Sequence, residues 1–367
     1  LDLTYALPSI INFSRASSGT YIDAQGKVKT AAANVPRFDY HPVSLKPLGF
    51  LSEAPATNFL CWSNSLSTSG GSNNWFYGSV EFQGYVEAPS GLLEAPQFEA
   101  LDKTPYGSFV VNTPDITTSG NWTFSVWLKR LDDGEGDSWV ILQLDEENYV
   151  EFEISNKWTR YSLFGFTAYP DVGVFIQTEK TKVAVWGAQL ETGSFESSLI
   201  MTENSLATRA GDFADLSGKS LATRVGQEGT FLVVGDRYDT SSATGRMMAL
   251  QSVSFFSDEI SASITNTGGR LRIIHRGSTQ ANLQGFAFPT NQTGVAFRYG
   301  TNDAMVYVNG AAGSPDVSVI VPTFDIMRIG HVATSATAWD WIRGHVSRIK
   351  YWPSRFGNAQ LQRISVV

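Results

Sequence analysis

The chain has 367 residues, enough for two or three domains at roughly 100–200 residues each. Its formal charge is −8, from 27 basic and 35 acidic residues. With no run of Lys or Arg, it offers neither nucleic acid nor an anionic membrane an attractive patch. Helix-forming signal is scarce: 33 Gly, 14 Pro, 13% aromatic and only 17% charged residues describe a β-rich chain cut by many turns.

Cys61 is the single cysteine, which excludes an internal disulfide and a cysteine-built metal site and fits folding in a reducing cytosol. No apolar stretch approaches the ~18–20 residues that span a bilayer. There is no signal-peptide pattern, and Leu1 in place of Met fits a processed or truncated chain. In a chain without a secretory signal, the triplets Asn121-Trp122-Thr123 and Asn291-Gln292-Thr293 read as chance matches to the glycosylation pattern.

Residues 1–60 are rich in turn residues, with prolines at 8, 36, 42, 47 and 55. Short apolar pieces such as Ser9–Phe13 and Thr20–Asp23 predict edge strands or an extended arm. Gln25-Gly26 predicts a hairpin turn between Tyr21-Ile22 and Val28.

Residues 61–204 follow, and seven of the ten tryptophans fall between 61 and 200. Strands are predicted at 121–129, 138–144, 148–154, 158–166, 172–177 and 182–190. Short strands between turns, with no helical repeat among them, indicate a sandwich of the jelly-roll kind. In the last of them, VAVWGAQLETGSF at 183–195, the strand is apolar on both faces and ends on Gln189 and Glu191 beside the turn signal Thr192-Gly193-Ser194.

Residues 205–227 contain a near-repeat, SLATRAG at 205–211 and SLATRVG at 220–226. Two copies are too few for a solenoid, so the segment reads as a linker whose arginines pack on neighbouring strands. From 228 to 367 a second strand series is predicted at 230–237, 247–254, 260–265, 269–276, 294–299, 303–309, 325–331 and 343–351. In the 303–309 strand Ala304, Val306 and Val308 share one face, and Met305, Tyr307 and Asn309 the other. A short helix at Ala359–Ile364 places Leu361 and Ile364 on a common side.

Candidate chemistry is sparse. Glu151 and Glu153 share a strand face about 6.5–7 Å apart, a separation an inverting glycosidase could use. The residue between them is Phe152 where a concanavalin-like glucanase carries an aspartate, and a solvated strand face explains the pair. Asp132, Asp133, Glu135 and Asp137 form an acidic turn able to offer oxygen ligands to a structural calcium, though the spacing is not that of an EF-hand loop. His41, His275, His331 and His345 are scattered, and no nucleophile elbow, phosphate loop or dinucleotide fingerprint occurs. Aromatic recognition remains, in which sugar C–H faces stack on rings and polar rims pair the hydroxyls. The surface candidates are Trp139, beside the acidic turn, and Trp339-Asp340-Trp341, whose rings would point the same way in an extended segment. A sandwich-edge cap or a subunit contact would use the same pair. Trp75, Trp122, Trp127, Trp158 and Trp186 are expected in the core.

Several segments resemble virion proteins of tailed bacteriophages. Residues 13–60, FSRASSGTYIDAQGKVKTAAANVPRFDYHPVSLKPLGFLSEAPATNFL, are similar to a tail-associated segment leading into a carbohydrate-binding-like jelly roll. GNWTFSVWLKR, KWTRYS, VWGAQLETGSFESSLI and ATRAGD (207–212) are similar to that jelly roll itself. TGVAFRYGTNDAMVYVNG, MRIGH, GHVSRIKYWPSRF and NAQLQRIS resemble a concanavalin A/laminin G-like sandwich. The stretch SSLIMTENS at 197–205 departs from the pattern, where a proline-bearing segment is more usual.

The resemblance implies an all-β fold: two tandem β-sandwiches, a galactose-binding-like jelly roll and a concanavalin A-like domain, behind an extended N-terminal arm for virion or subunit docking. It implies that Trp186 is framework core, with Gln189 and Glu191 satisfying backbone groups. The expected function is a non-enzymatic tail fibre, tail-tip or decoration protein on the virion surface, synthesised in the host cytoplasm. Its expected partners are other virion proteins, copies of itself (a trimer favoured) and bacterial surface polysaccharide. A purely structural virion protein and a polysaccharide depolymerase are the alternatives.

Overall fold

The computed structural model describes residues 1–66, 74–102, 107–131, 138–238, 244–252, 258–286, 292–332 and 341–367. Apart from two short helices, their regular structure is strand. They form two compact units, one of Lys27–Lys29 with Ala56–Arg209, the other of Leu1–Gly26, Thr30–Pro55 and Ala210–Val367.

The tryptophan-rich unit is a sandwich of two five-stranded antiparallel sheets. One runs in the order Tyr149–Glu153, Trp139–Gln143, Val172–Ile176, Ser108–Asn112, Trp75–Gly78. The other runs Thr159–Thr167, Gly120–Arg130, Lys182–Thr192, Leu93–Ala100, Val80–Glu87. Between them lies a core that includes Trp75, Phe98, Val110, Trp122, Phe124, Val140, Leu142, Val174, Val185 and Leu190. All six strands predicted between 121 and 190 are present. The sequence reading passes over Trp75–Gly78, Val80–Glu87, Leu93–Ala100 and Ser108–Asn112.

The segment apolar on both faces has a local cause. Val183 and Val185 face this core, but so do Ala188 and Leu190, which breaks the two-residue alternation. The break falls at a bulge: the pairing with Gly120–Arg130 slips between Ser125 and Trp127, where Gly187 takes φ +65°. That conformation suits glycine and lets one extra residue enter the strand. Trp186 then faces away from the core yet is fully buried, as are Gln189 and Glu191. Gln189 Oε1 accepts from the Ile200 amide at 2.6 Å and Glu191 Oε1 from the Ser197 amide at 2.7 Å. Burial raises the Glu191 carboxyl above its usual range, against the donors from Gln189 and Ser197.

The larger unit is a sandwich of two seven-stranded sheets. The first is ordered Asn12–Ser14, Phe213–Ser217, Ile326–Ile329, Thr244–Gln251, Glu259–Thr265, Gly268–His275, Ser278–Gly285. The second is ordered Ala311–Ala312, Asp303–Val308, Thr293–Gly300, Gly229–Arg237, Gly344–Trp352, Pro47–Ser52, Phe38–Tyr40. The two faces of the Asp303–Val308 strand separate as its alternation predicts. Ala304, Val306 and Val308 enter the main core, while Met305 and Tyr307 pack with Leu361 of the Asn358–Ser365 helix.

Two segments differ from the sequence reading. Of the two readings of residues 1–60, the edge strands are present and the separate arm is not: Asn12–Ser14 and Phe38–Tyr40 each close one sheet of the larger unit, yet Leu3, Ile11 and Phe50 lie in its core. The expected linker at 205–227 contains the strands Ala207–Arg209 and Phe213–Ser217. Of its repeated arginines, Arg209 is buried, whereas Arg224 is exposed and bonds the Ser220 carbonyl at 3.0 Å. The cause is common to both segments. Short, turn-punctuated strands look peripheral locally, but each finds its partner far along the chain.

Candidate functional site

Every second residue of a strand faces one side of its sheet, so the strand registers define the outer face of the five-stranded sheet ending at Tyr149–Glu153. Three rows cross it. Glu153 lies opposite Trp139 at one margin. Next, Glu151, Ile141, Phe175, Phe109 and Gly78 align across all five strands. Then Tyr149, Gln143, Gly173, Val111 and Phe76 do the same. Four strand spacings make these rows roughly 19 Å long.

This face is aromatic without being core. Phe76 is 57% exposed, Tyr149 53% and Trp139 37%. The rings of Phe109 and Phe175 lie 5.7 Å apart between them. Two glycines make room. A Cβ on Gly173 would stand 2.6 Å from a Val111 methyl and 2.9 Å from the Phe175 ring, so neighbouring side chains lean over bare backbone. The middle of the face is thereby filled, with Ile141, Gln143 and Phe175 buried, and Tyr149 and Phe76 stand exposed at the two ends of their row. Carboxylates line the same side: Glu151 and Glu153 are exposed. Asp171 stands just beyond Val172 and accepts from Thr113 Oγ1 at 2.8 Å. The Gln143 amide donates to the Asp171 carbonyl at 3.2 Å. Chemically, the surface offers apolar rings and hydrogen-bond acceptors, a set suited to a ligand with both C–H faces and hydroxyls.

Of the sequence candidates, Trp139 belongs to this face. Trp341 does not make an exposed platform: it is 1% exposed, donates from Nε1 to the Asp212 carbonyl at 2.8 Å and stacks on His331. Trp339 and Asp340 lie outside the described residues, as do Asp132, Asp133, Glu135 and Asp137. Among the described residues, no three His, Cys, Asp or Glu side chains form a group that could hold a metal ion. Nor, among them, is any helix long and apolar enough to cross a membrane. Trp75 is a core anchor, its Nε1 donating to the Cys61 carbonyl at 3.0 Å. Phe76, Phe109, Phe175, Tyr149 and the two glycines were not singled out in the sequence. The available signal was a glycine inside a strand, in DVGVFI, which marks close approach of another group.

Two of the larger unit's buried polar clusters draw on residues from the first 55 of the chain. Arg15 and Arg37 both reach Asp212, at 3.0 and 2.5 Å, and Arg37 also reaches Glu53 at 2.8 Å. Tyr238 donates to Glu53 at 2.8 Å. Burial works against the Arg37 charge, and Asp212 and Glu53 more than restore it. Separately, His345 Nδ1 lies 2.7 Å from Asp236 and its Nε2 3.1 Å from Asp39. Burial alone would lower the imidazolium pKa, but the two carboxylates push it up to about 10. With both nitrogens engaged by acids, the protonated ring is a cross-link between strands and has no lone pair to accept a proton.

No protein-family model matches the sequence, and neither does any curated protein. Solved structures that resemble the chain do so weakly. The CBM40 module of the Ruminococcus gnavus IT-sialidase, bound to α2,3-sialyllactose, has 14% identity and a TM-score of 0.35, with 41% of this chain and 90% of that one covered. Domains LG4-5 of the mouse laminin α1 chain give 10% identity, a TM-score of 0.26 and coverage of 74% and 91%. The tandem CBM22 domains of Paenibacillus barcinonensis Xyn10C give 10% identity, a TM-score of 0.28 and coverage of 83% and 99%. Likeness at this level speaks to no ligand or activity, and the sandwich assignment rests on the sheets themselves.

Proposed function

We propose that the protein is a non-enzymatic glycan-binding protein whose contact surface is the outer face of the five-stranded sheet. One observation carries the reading: Phe76, Tyr149 and Trp139 are exposed together on one outer face of the sheet, around a packed centre of Phe109 and Phe175. Apolar burial explains core aromatics, but not a cross-strand array left in water. Glu151 and Glu153 are exposed side by side on one strand, opposite Ile141 and Trp139, where they serve a stacked sugar as hydroxyl acceptors. The sequence resemblance to tailed-phage proteins supports a place on a virion surface, with bacterial polysaccharide as ligand and several copies supplying avidity.

The test is a glycan array, followed by titration of the best binder against Trp139→Ala, Tyr149→Ala and Phe76→Ala. Binding lost progressively across the three variants supports the reading. A blank array at any valency, or binding indifferent to all three, removes it. Release of new reducing ends from a bound polysaccharide would replace it with a depolymerase.

A second reading, a structural subunit that uses these faces for assembly, is favoured by Phe82, Tyr85, Phe164 and Phe166, exposed on the other sheet of the same unit. Sedimentation of Phe164→Ser/Phe166→Ser against the parent separates the two. Loss of an oligomer together with an unresponsive array supports assembly alone.

A further inference from the structure

We propose that Glu151 and Glu153 act as a charge filter, so that the exposed aromatic face accepts uncharged glycan segments and rejects those bearing carboxylate, sulfate or phosphate groups. The proposal rests on the glycan-binding reading and names the ligand class of that same face. Its basis is the census of side chains across the three rows. Glu153 and Glu151 are exposed at the margin that carries Trp139 and Tyr149. Asp171 adds a third carboxylate where the Val172–Ile176 strand begins. The other described outward residues of the five strands are aromatic, aliphatic or glycine, with Gln143 the one polar side chain. Among the described residues of the face there is therefore no lysine or arginine to receive an anion.

The physics is one-sided. A sugar stacked on Tyr149 or Trp139 comes within a few ångströms of both glutamates, and an anionic substituent there meets like charge with no compensating cation. An uncharged sugar meets the same oxygens as hydrogen-bond acceptors. Because both glutamates are solvated, the repulsion is strongest at low salt and fades as the Debye length shortens. A structural role for the pair would show no such salt dependence.

The experiment is an array of uncharged and acidic glycans, uronic-acid and sialylated members included, read at ~20 mM and ~300 mM salt. The parent is compared with Glu151→Gln/Glu153→Gln, whose exposed positions keep the fold out of question. The expected result is that strong binders are uncharged and that preference over acidic counterparts narrows as salt rises. In the variant the ratio of uncharged to acidic binding at low salt falls by about tenfold. Acidic members binding the parent as well as uncharged ones at low salt overturns the filter and leaves the glycan reading standing. A variant with an unchanged ratio overturns it too. A blank array overturns the glycan reading, and the filter with it.

Discussion

The Phe109 ring lies over the backbone of Gly78, so close that a Cβ placed on that glycine would stand 2.2 Å from the ring's Cζ. The glycine is what allows the aromatic row to lie across the sheet. Gly78→Ala should therefore displace the Phe109 ring from the sheet face. The expected cost is about 1–2 kcal/mol of stability, with a larger proportional loss of glycan affinity. Chemical denaturation and titration on the same preparation check the two effects separately.

The two exposed-tryptophan candidates separate in a stability measurement. Trp341→Ala removes a ring packed on His331 and Phe213 and should cost about 3–5 kcal/mol. Trp139→Ala, on the open face, should cost under about 1 kcal/mol while weakening binding. Thermal unfolding of both variants beside the parent gives the comparison.

The Arg15–Asp212–Arg37–Glu53 cluster is buried and balanced, two cations against two acids. Asp212→Asn leaves the arginines undercompensated and should destabilise the larger unit by about 3–5 kcal/mol. Urea unfolding followed by tryptophan fluorescence is the check.

His345 predicts a pH dependence of defined sign. Its folded pKa, about 10, is raised above the ordinary value of 6.5 by Asp236 and Asp39 against the pull of burial. The stabilisation is thus fully present below about pH 6.5 and is lost as pH rises toward 10. Stability measured from pH 6 to 10 should fall by a few kcal/mol in the parent and less steeply in His345→Gln.

What the sequence made legible follows from what is local. The strands from Gly120–Arg130 to Lys182–Thr192 announce themselves as alternating or continuous apolar runs, and the terminal helix by Leu361 and Ile364. Partnership is not local. Nothing in Asn12-Phe13-Ser14 says that it pairs with Phe213–Ser217, and so residues 1–55 read as an arm. The site was half hidden for a related reason. Trp75, Phe76 and Tyr77 are successive aromatics, and alternation separates their faces without saying which is inner. The Trp339/Trp341 spacing likewise gives no side; for Trp341 the answer comes from His331 and the distant Phe213.

The most direct test of the central claim is titration of the best array glycan against the triple variant Phe76→Ala/Tyr149→Ala/Trp139→Ala, with folding verified by thermal unfolding. The account predicts an unchanged fold and binding reduced at least a hundredfold, at about 1–3 kcal/mol per lost stacking ring. A folded triple variant that binds as the parent does would contradict it.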